Sequence, residues 1–235
     1  MFVWQEDSLQ ALHEAKTEGE FVTALIASAR RLGFDYAAFG LRLPYPLSRP
    51  KTIVISNYPE QWKLKYLEQN YLEIDPTVAH GMRSIVPIVW SAAHEEKQEF
   101  WEDARSFGLV NGWSQSCRDH GGNVGMLTLS RAEGGGLSAV ELCAIGSKMV
   151  WLAQAAHVTL ASLESYRVIG PPKSLSSREV SVLRWCGEGK TSSEIAEILR
   201  ISERTVNFHI NRAMQELNAA NRTSAVVQAA ILGLL

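Results

Sequence analysis

The sequence predicts an α+β chain of two domains, an N-terminal α/β/α sandwich around a largely antiparallel sheet and a small all-α unit behind it. Three observations predict this. Along residues 1–166 the hydrophobic period alternates between two and about 3.6, the marks of strand and helix. Adjacent prolines, Pro171 and Pro172, then interrupt any helix and push their neighbours toward extended backbone. Beyond them, four helix-start signals follow one another within residues 175–235.

In chain order, residues 6–32 read as helix through Leu9, Leu12, Phe21, Leu25 and Ile26. Strand-like alternation marks Tyr36–Leu41, Thr52–Ser56, a weak Val86–Trp90, Trp113–Cys117 and Val124–Ser130, and helices fit 59–70 and 97–107. Strands interrupted by helices, with a helix at each end, suit a sandwich. Residues 138–166 form one long helix, with Ser138 as its cap and Glu141 completing a capping box. Its apolar positions 142, 145, 149, 152, 156, 160 and 163 suit either an internal core or the seam of a dimer. The domains are accordingly placed at 1–166 and 175–235, with a linker at 167–174.

Composition narrows the class. Hydrophobic residues make up 46% and charged residues 20%, an ordinary globular balance. No apolar run approaches the ~18–20 residues of a membrane span, and no secretory signal is visible. Cys117, Cys143 and Cys186 have no metal-ligand spacing and read as reduced thiols of a cytoplasmic protein. Net charge is −2, but from Pro171 onward eight Lys/Arg meet six Asp/Glu. The mild excess of positive charge falls where a nucleic acid would be bound.

In the C-terminal unit, Ser176-Ser-Arg-Glu179 and Thr191-Ser-Ser-Glu194 are capping boxes, and Ser202 and Asn221 cap two further helices. Val180, Leu183 and Trp185 line the first helix, which Gly187 and Gly189 end; Ile195, Ala196, Ile198 and Leu199 lie inside the second. Only Arg200-Ile-Ser202 joins the second helix to the third, the short turn of a helix-turn-helix. At 100° per residue, Val206, Ile210, Ala213 and Leu217 make the buried face of the third helix. Arg204, Phe208, Asn211, Arg212 and Gln215 lie opposite, flanked by Thr205 and Asn207. Arg and Asn can fork onto base edges in a major groove, and Thr and Phe can meet thymine methyls.

The stretches LSSREVSVLRW, GEGKTSSEIAEIL and ISERTVNFHINRAMQELNAANRTSAV resemble the DNA-binding domain of the LuxR family. The resemblance implies a tetrahelical helix-turn-helix that binds two-fold-related half-sites of double-stranded DNA as a dimer. It places Arg204, Thr205, Asn207, Phe208, Asn211 and Arg212 in the groove, and Lys190, Thr191 and Ser192 near phosphate, where a helix N-terminus favours anions. No early acid pair or βα repeat of a phospho-receiver accompanies it.

Upstream, Tyr58, Trp62 and Tyr66 precede Asp75, which Pro76 locks, and Trp90, Trp101 and Trp113 follow. Walls of Trp and Tyr with few polar groups suit a small amphipathic ligand, or a plain aromatic core. The run NYPEQWKLKYLEQNYLEIDPTV…VPIVW…FWEDARSFGLVNGW resembles the autoinducer-binding, PAS/GAF-like domain of acyl-homoserine lactone-responsive LuxR regulators. By that resemblance Trp62 donates to the lactone carbonyl, Asp75 accepts the amide N–H and Tyr58 donates to the acyl carbonyl. Trp90 packs on the lactone ring, Tyr66 lines the acyl passage, and Thr128 makes a second contact to the acyl carbonyl. Ala38 keeps the acyl end apolar, which leans toward a medium or long chain. A buried Asp is costly without a partner, so either ligand or protein must satisfy it.

The implied role is a quorum-sensing transcription activator, a homodimer in the cytoplasm with RNA polymerase as a further partner, no cofactor, and an N-acyl-homoserine lactone as effector. An orphan regulator that senses another molecule, or binds DNA unliganded, is the alternative. A lactone or acyl hydrolase is the remote one, since there is no GxSxG elbow and no metal-binding His pair.

Overall fold

Period-two alternation builds five strands whose register puts the even-numbered residues of every strand on one face. The computed structural model describes residues 9–44, 46–91, 97–169 and 174–235. Strands β1 (Tyr36–Leu43), β2 (Lys51–Ser56), β3 (Ile88–Ser91), β4 (Asn111–Arg118) and β5 (Val124–Arg131) form one sheet, ordered β2-β1-β5-β4-β3. All four pairings are antiparallel and match like parity: Ala38 opposes Ser56 and Thr128, Ser114 opposes Thr128, and Trp90 opposes Gly112. These are the five segments that alternation marks, extended by one to three residues. The exception is the weak one, which begins at Ile88 because Val86 is exposed.

The odd-numbered face carries the main core. Phe39, Leu41, Ile55, Trp113, Leu127 and Leu129 pack there against helices α1 (Glu18–Arg31) and α5 (Ala139–Ile169). Helix α1 is shorter than the helix expected over 6–32. A separate helical run covers 9–13, and residues 6–8 lie outside the described set. Thr17 makes the break: its hydroxyl accepts the Glu20 N–H, while the Glu20 carboxylate takes the Lys16 N–H at 2.7 Å. A mid-run cap overrides a continuous apolar period.

Helix α5 begins as expected, with Ser138 and Glu141 bonded reciprocally. Met149, Leu152, Ala156 and Leu160 are fully buried in the core, so the expected stripe is internal. The opposite face leaves Val140, Trp151 and Val158 more than half exposed. The helix runs to Ile169, so the first residues of the expected linker are helical; residues 170–173 lie outside the described set.

Against the even-numbered face lie α2 (Glu60–Glu68), a 3-10 turn (Tyr71–Glu73), α3 (Pro76–Gly81) and α4 (Gln98–Ser106). With α1 and α5 on the other side, the three layers are an α/β/α sandwich. Helix α3 was not among the expected elements. Asp75 caps it, accepting from the Thr77 and Val78 N–H groups, and Pro76 pre-sets its first turn.

The sheet and the helices through Val168 make one compact unit, and Ile169–Leu235 belongs to another. The second holds α6 (Ser177–Gly187), α7 (Ser192–Leu199), α8 (Glu203–Leu217) and α9 (Arg222–Ile231). Ser176, Thr191, Ser202 and Asn221 cap them, the first two in full capping boxes. Arg200, in the left-handed region at φ +53°, ends α7 and starts the tight turn. Val206, Ile210, Ala213 and Leu217 are buried. Ile198, placed inside by period alone, is 42% exposed, because α7 has only two turns and packs on Ile195.

Candidate ligand chamber and DNA-binding face

The even-numbered sheet face is a floor of small and hydroxylated residues. Ala38, Gly40, Gly112, Ser114, Ser116, Thr128 and Ser130 lie on it by register, and the four hydroxyl residues are buried. A Cβ built on Gly40 would meet nothing within 4 Å, so open space lies above the floor there. The facing layer is aromatic: Trp62, Tyr71, Trp90, Phe100 and Trp101 are buried together, with Tyr36, Tyr58 and Tyr66 packed on them. Small polar residues beneath large rings are what a chamber for an amphipathic guest requires. Trp113 has odd parity and belongs to the main core, a correction to its place among the chamber aromatics.

Asp75 sits at the centre. Its Oδ1 accepts from the Thr77 N–H at 2.8 Å and the Thr77 hydroxyl at 2.7 Å, and its Oδ2 accepts from the Tyr66 hydroxyl at 2.9 Å. The protein thus satisfies this buried carboxylate without help, because it is also a helix cap. Burial nevertheless raises its pKa, against the pull of those donors. Burial, followed by the charge of Asp75, lifts the phenols of Tyr66 and Tyr58 well above their ordinary range, so both remain donors. Asn57, bonded through its amide to the Ala37 N–H and the Asp35 carbonyl, pins the backbone just before Tyr58. Ser130, itself fully buried, works against that rise at Tyr58. Trp62 is buried, its ring packed edge-on against that of Tyr66.

Trp90 stacks on Trp101 at 5.4 Å and donates its indole N–H to Ser114 Oγ at 2.9 Å. Ser114 pairs in turn with the Thr128 hydroxyl at 3.0 Å. Gly112 is required beneath Trp90, since a Cβ there would fall 2.2 Å from the Trp90 ring. At the rim, Tyr71 donates to Asp103 at 2.5 Å and Lys65 pairs with it at 2.6 Å, tying α2, the 3-10 turn and α4 together. Although partial burial opposes it, Lys65 and Tyr71 hold the Asp103 carboxyl below the usual range, and burial pushes the Tyr71 phenol up to about 12.

The structure links these predicted residues through contacts: Tyr66 with Trp62 and Asp75, Tyr58 electrostatically with Asp75, and Trp90 through Ser114 with Thr128. Thr77, Ser114 and Ser130 were missed. Parity with Thr128 could have flagged Ser114 and Ser130, and its place after Asp-Pro could have flagged Thr77.

In the C-terminal unit, Arg204, Asn207, Phe208, Asn211 and Arg212 are exposed on α8, Phe208 at 58%, and Thr205 is half-buried beside them. Arg212 pairs loosely with Glu216 at 3.7 Å, and Lys190 with Glu194 at 3.8 Å. Thr191 is spent as a cap, and Ser192 donates to Asn207 Oδ1 at 2.8 Å, linking the start of α7 to α8.

Residues 17–160 match the autoinducer binding domain, and residues 173–229 match the bacterial regulatory proteins of the luxR family. The transcriptional activator protein AnoR of Acinetobacter nosocomialis is 45% identical, over 99% of this chain and 99% of its own. The chain belongs to the LuxR family. This LuxR-type protein is similar in structure to Escherichia coli SdiA, at 35% identity and a TM-score of 0.80 over 99% of this chain and 98% of that one. SdiA has also been solved with octanoyl-rac-glycerol, where the TM-score is 0.78 at 35% identity over 99% of this chain and 96% of that one. The N-acylhomoserine lactone-dependent LuxR family factor CepR2 of Burkholderia cenocepacia matches 70% of this chain and 96% of its own, with 33% identity and a TM-score of 0.64. Our LuxR-type chain is an autoinducer-binding, DNA-binding transcription regulator of quorum sensing, and it is not an enzyme. Among the described residues, no helix is long and apolar enough to cross a membrane.

Proposed function

We propose that the effector is an N-acyl-homoserine lactone held between the hydroxyl floor and the aromatic layer. The observation that carries this reading is the donor and acceptor set around Asp75. Oδ2 of the buried carboxylate accepts from Tyr66, the Tyr58 phenol lies within reach of its charge, and Trp62 in the same aromatic layer supplies an indole N–H. An acyl amide attached to a lactone offers the complementary N–H and two carbonyls. Trp62 then takes the lactone carbonyl, Asp75 the amide N–H and Tyr58 the acyl carbonyl, with Trp90 over the ring and Tyr66 along the acyl passage. Thr128 lies on the floor at the same level. The space above Gly40, next to Ala38, suits the acyl tail.

Residues 1–166 sense and dimerise, and residues 175–235 bind DNA, the joining segment starting after Ile169. Two copies pair along the exposed stripe of α5, where Val140, Trp151 and Val158 lie on one line and no charged side chain stands on it. Pairing sets two copies of α8 onto two-fold-related half-sites about one helical turn apart. Arg204, Thr205, Asn207, Phe208, Asn211 and Arg212 enter the groove, and Lys190, Thr191 and Ser192 stand at the phosphates. The regulator acts in the cytoplasm with RNA polymerase as its onward partner. Ligand bound only by the folded state stabilises it by about 2.7 kcal/mol at a hundredfold excess over Kd, which raises the population of competent dimers.

Mass spectrometry of small molecules extracted from the purified full-length protein tests the ligand class. One N-acyl-homoserine lactone per chain is the expected result. An acylglycerol, such as the one bound by SdiA, offers ester and hydroxyl groups but no amide N–H, and finding it alone would overturn the assignment.

A further inference from the structure

The first turn of α7 and the exposed polar side of α8 are tied by a side-chain hydrogen bond. The hydroxyl of half-buried Ser192 donates to Oδ1 of exposed Asn207 at 2.8 Å. The neighbouring hydroxyls have local duties. Thr191 caps α7, its hydroxyl and N–H both donating to Glu194 at 2.9 and 2.8 Å, and Thr205 pairs with Ser202 at 2.8 Å where α8 starts. Ser192 is no cap, and its hydroxyl crosses to the next helix instead. An asparagine amide is a donor at one end and an acceptor at the other, and half a turn about its last torsion exchanges them. A hydroxyl proton on Oδ1 fixes which end is which. The acceptor faces α7, and the NH2 with its two donors is the end left for a partner outside. That polarity matters for reading DNA. Adenine in a major groove asks an asparagine for a donor and an acceptor together, whereas guanine shows two acceptors, N7 and O6, and phosphate shows only acceptors.

We infer that Ser192 is a positioning residue for Asn207: it serves DNA recognition through the amide it holds, not by its own hydroxyl on phosphate, and makes Asn207 a donor to a guanine edge or a phosphate oxygen. Holding the side chain before DNA arrives also removes part of the ordering cost of the contact. The backbone N–H groups in the first turn of α7 keep the phosphate role that resemblance gives this segment. The inference deepens the reading of α8 as the element that enters the groove, and it rests on that reading.

The test uses the full-length chain, produced in cells supplied with N-butanoyl-, N-octanoyl- and N-dodecanoyl-homoserine lactone. The parent first selects its sites from a pool of randomised duplexes. Fluorescence anisotropy then gives the affinity of the parent, Ser192→Ala, Asn207→Ala and the double variant for the selected duplex and for its single-base-pair variants. Ser192→Ala leaves the Thr191 capping box in place, so its melt should match the parent's, and it should bind about threefold to tenfold more weakly. Ser192→Thr keeps the hydroxyl and should bind as the parent does. In the Asn207→Ala background, the Ser192 substitution should cost nothing further. Losses that simply add would give Ser192 a contact of its own and overturn the positioning role, as would parent-like binding by either single variant. Asn207→Ala should erase a preference for guanine at one position, where the acceptor is a base, or weaken all sequences alike, where it is phosphate. Loss of a preference for an A·T pair would overturn the donor assignment. If the parent selects no sequence at all, the groove reading of α8 fails and the Ser192 assignment falls with it.

Discussion

Tyr66 donates its hydroxyl to Oδ2 of Asp75 at 2.9 Å, which determines the acceptor site that the carboxylate has left for a guest. Oδ1 is filled by the Thr77 N–H and hydroxyl and, more distantly, by the Val78 N–H at 3.4 Å. The same side chain closes a helix and, on the proposed reading, takes the ligand amide.

Asp75→Asn separates those two duties. The amide oxygen still caps α3, but its NH2 meets the Tyr66 hydroxyl and the ligand N–H as a third donor. Lactone affinity should drop at least tenfold, about 1.4 kcal/mol, while the unliganded melt changes little. Titration calorimetry with the parent's lactone measures it, and full retention of affinity would remove Asp75 from the site.

Acidification acts on the same carboxyl with a sign that can be derived. Burial raises its folded pKa above the unfolded value of about 3.9. The folded state therefore holds the proton more tightly, and the cost of burying the charge is relieved as pH falls through the folded pKa. Parent stability relative to Asp75→Asn should rise over that window. Lactone affinity should move the other way, because the ligand N–H needs a carboxylate. Paired melts and titrations from about pH 7 to about pH 4 read both; equal pH profiles for the two proteins would contradict the argument.

Gly112→Ala places a methyl 2.2 Å from the Trp90 ring and 2.5 Å from the Leu129 carbonyl oxygen. Neither the stacked indole nor the strand backbone can yield cheaply. A loss of about 1–3 kcal/mol in stability is expected from overpacking, together with impaired ligand binding as Trp90 leaves its place. Chemical denaturation and lactone titration check the two effects.

Arg212→Ala removes an exposed side chain whose pairing with Glu216 is an i,i+4 contact worth only about 0.3–0.5 kcal/mol. Stability should hardly change. Operator affinity should fall by about 1–3 kcal/mol with relaxed preference at one base pair if the guanidinium reads a base. A uniform loss with a shallower salt slope would assign it to phosphate, and unchanged binding would strike it from the contact set.

Trp151→Glu puts a charge on the exposed stripe of α5, at a position 56% exposed in the single chain. The isolated fold should tolerate it, and self-association measured by sedimentation should weaken. Undiminished association would locate the dimer seam elsewhere.

Much of the architecture was legible from local chemistry. The four caps at Ser176, Thr191, Ser202 and Asn221 each satisfy backbone donors in the structure, so short-range hydrogen bonding was enough to bound the C-terminal helices. Alternation found all five strands. What escaped was where two local signals competed. Thr17 caps a new helix inside an unbroken apolar period, and Asp75-Pro76-Thr77 starts one in a segment whose aromatic spacing points to a ligand.

The site was legible by residue type more than by partnership. Trp62, Tyr66 and Asp75 stand together as resemblance implied. That Tyr66 supplies a further partner for Asp75 follows from the turn that folds Asp75 back onto α2, a tertiary fact. Trp113 shows the limit of composition: one position along the strand separates a core residue from a chamber residue.

That parity bears on how such a receptor can change. Positions 126, 128 and 130 of β5 lie on the even-numbered face, toward the proposed ligand, while Leu127 and Leu129 hold the main core. Substitutions at the former can retune preference one side chain at a time without touching the latter. An insertion or deletion within the strand would exchange the two sets at a stroke, so drift toward new signals should proceed by point replacement and leave strand lengths alone.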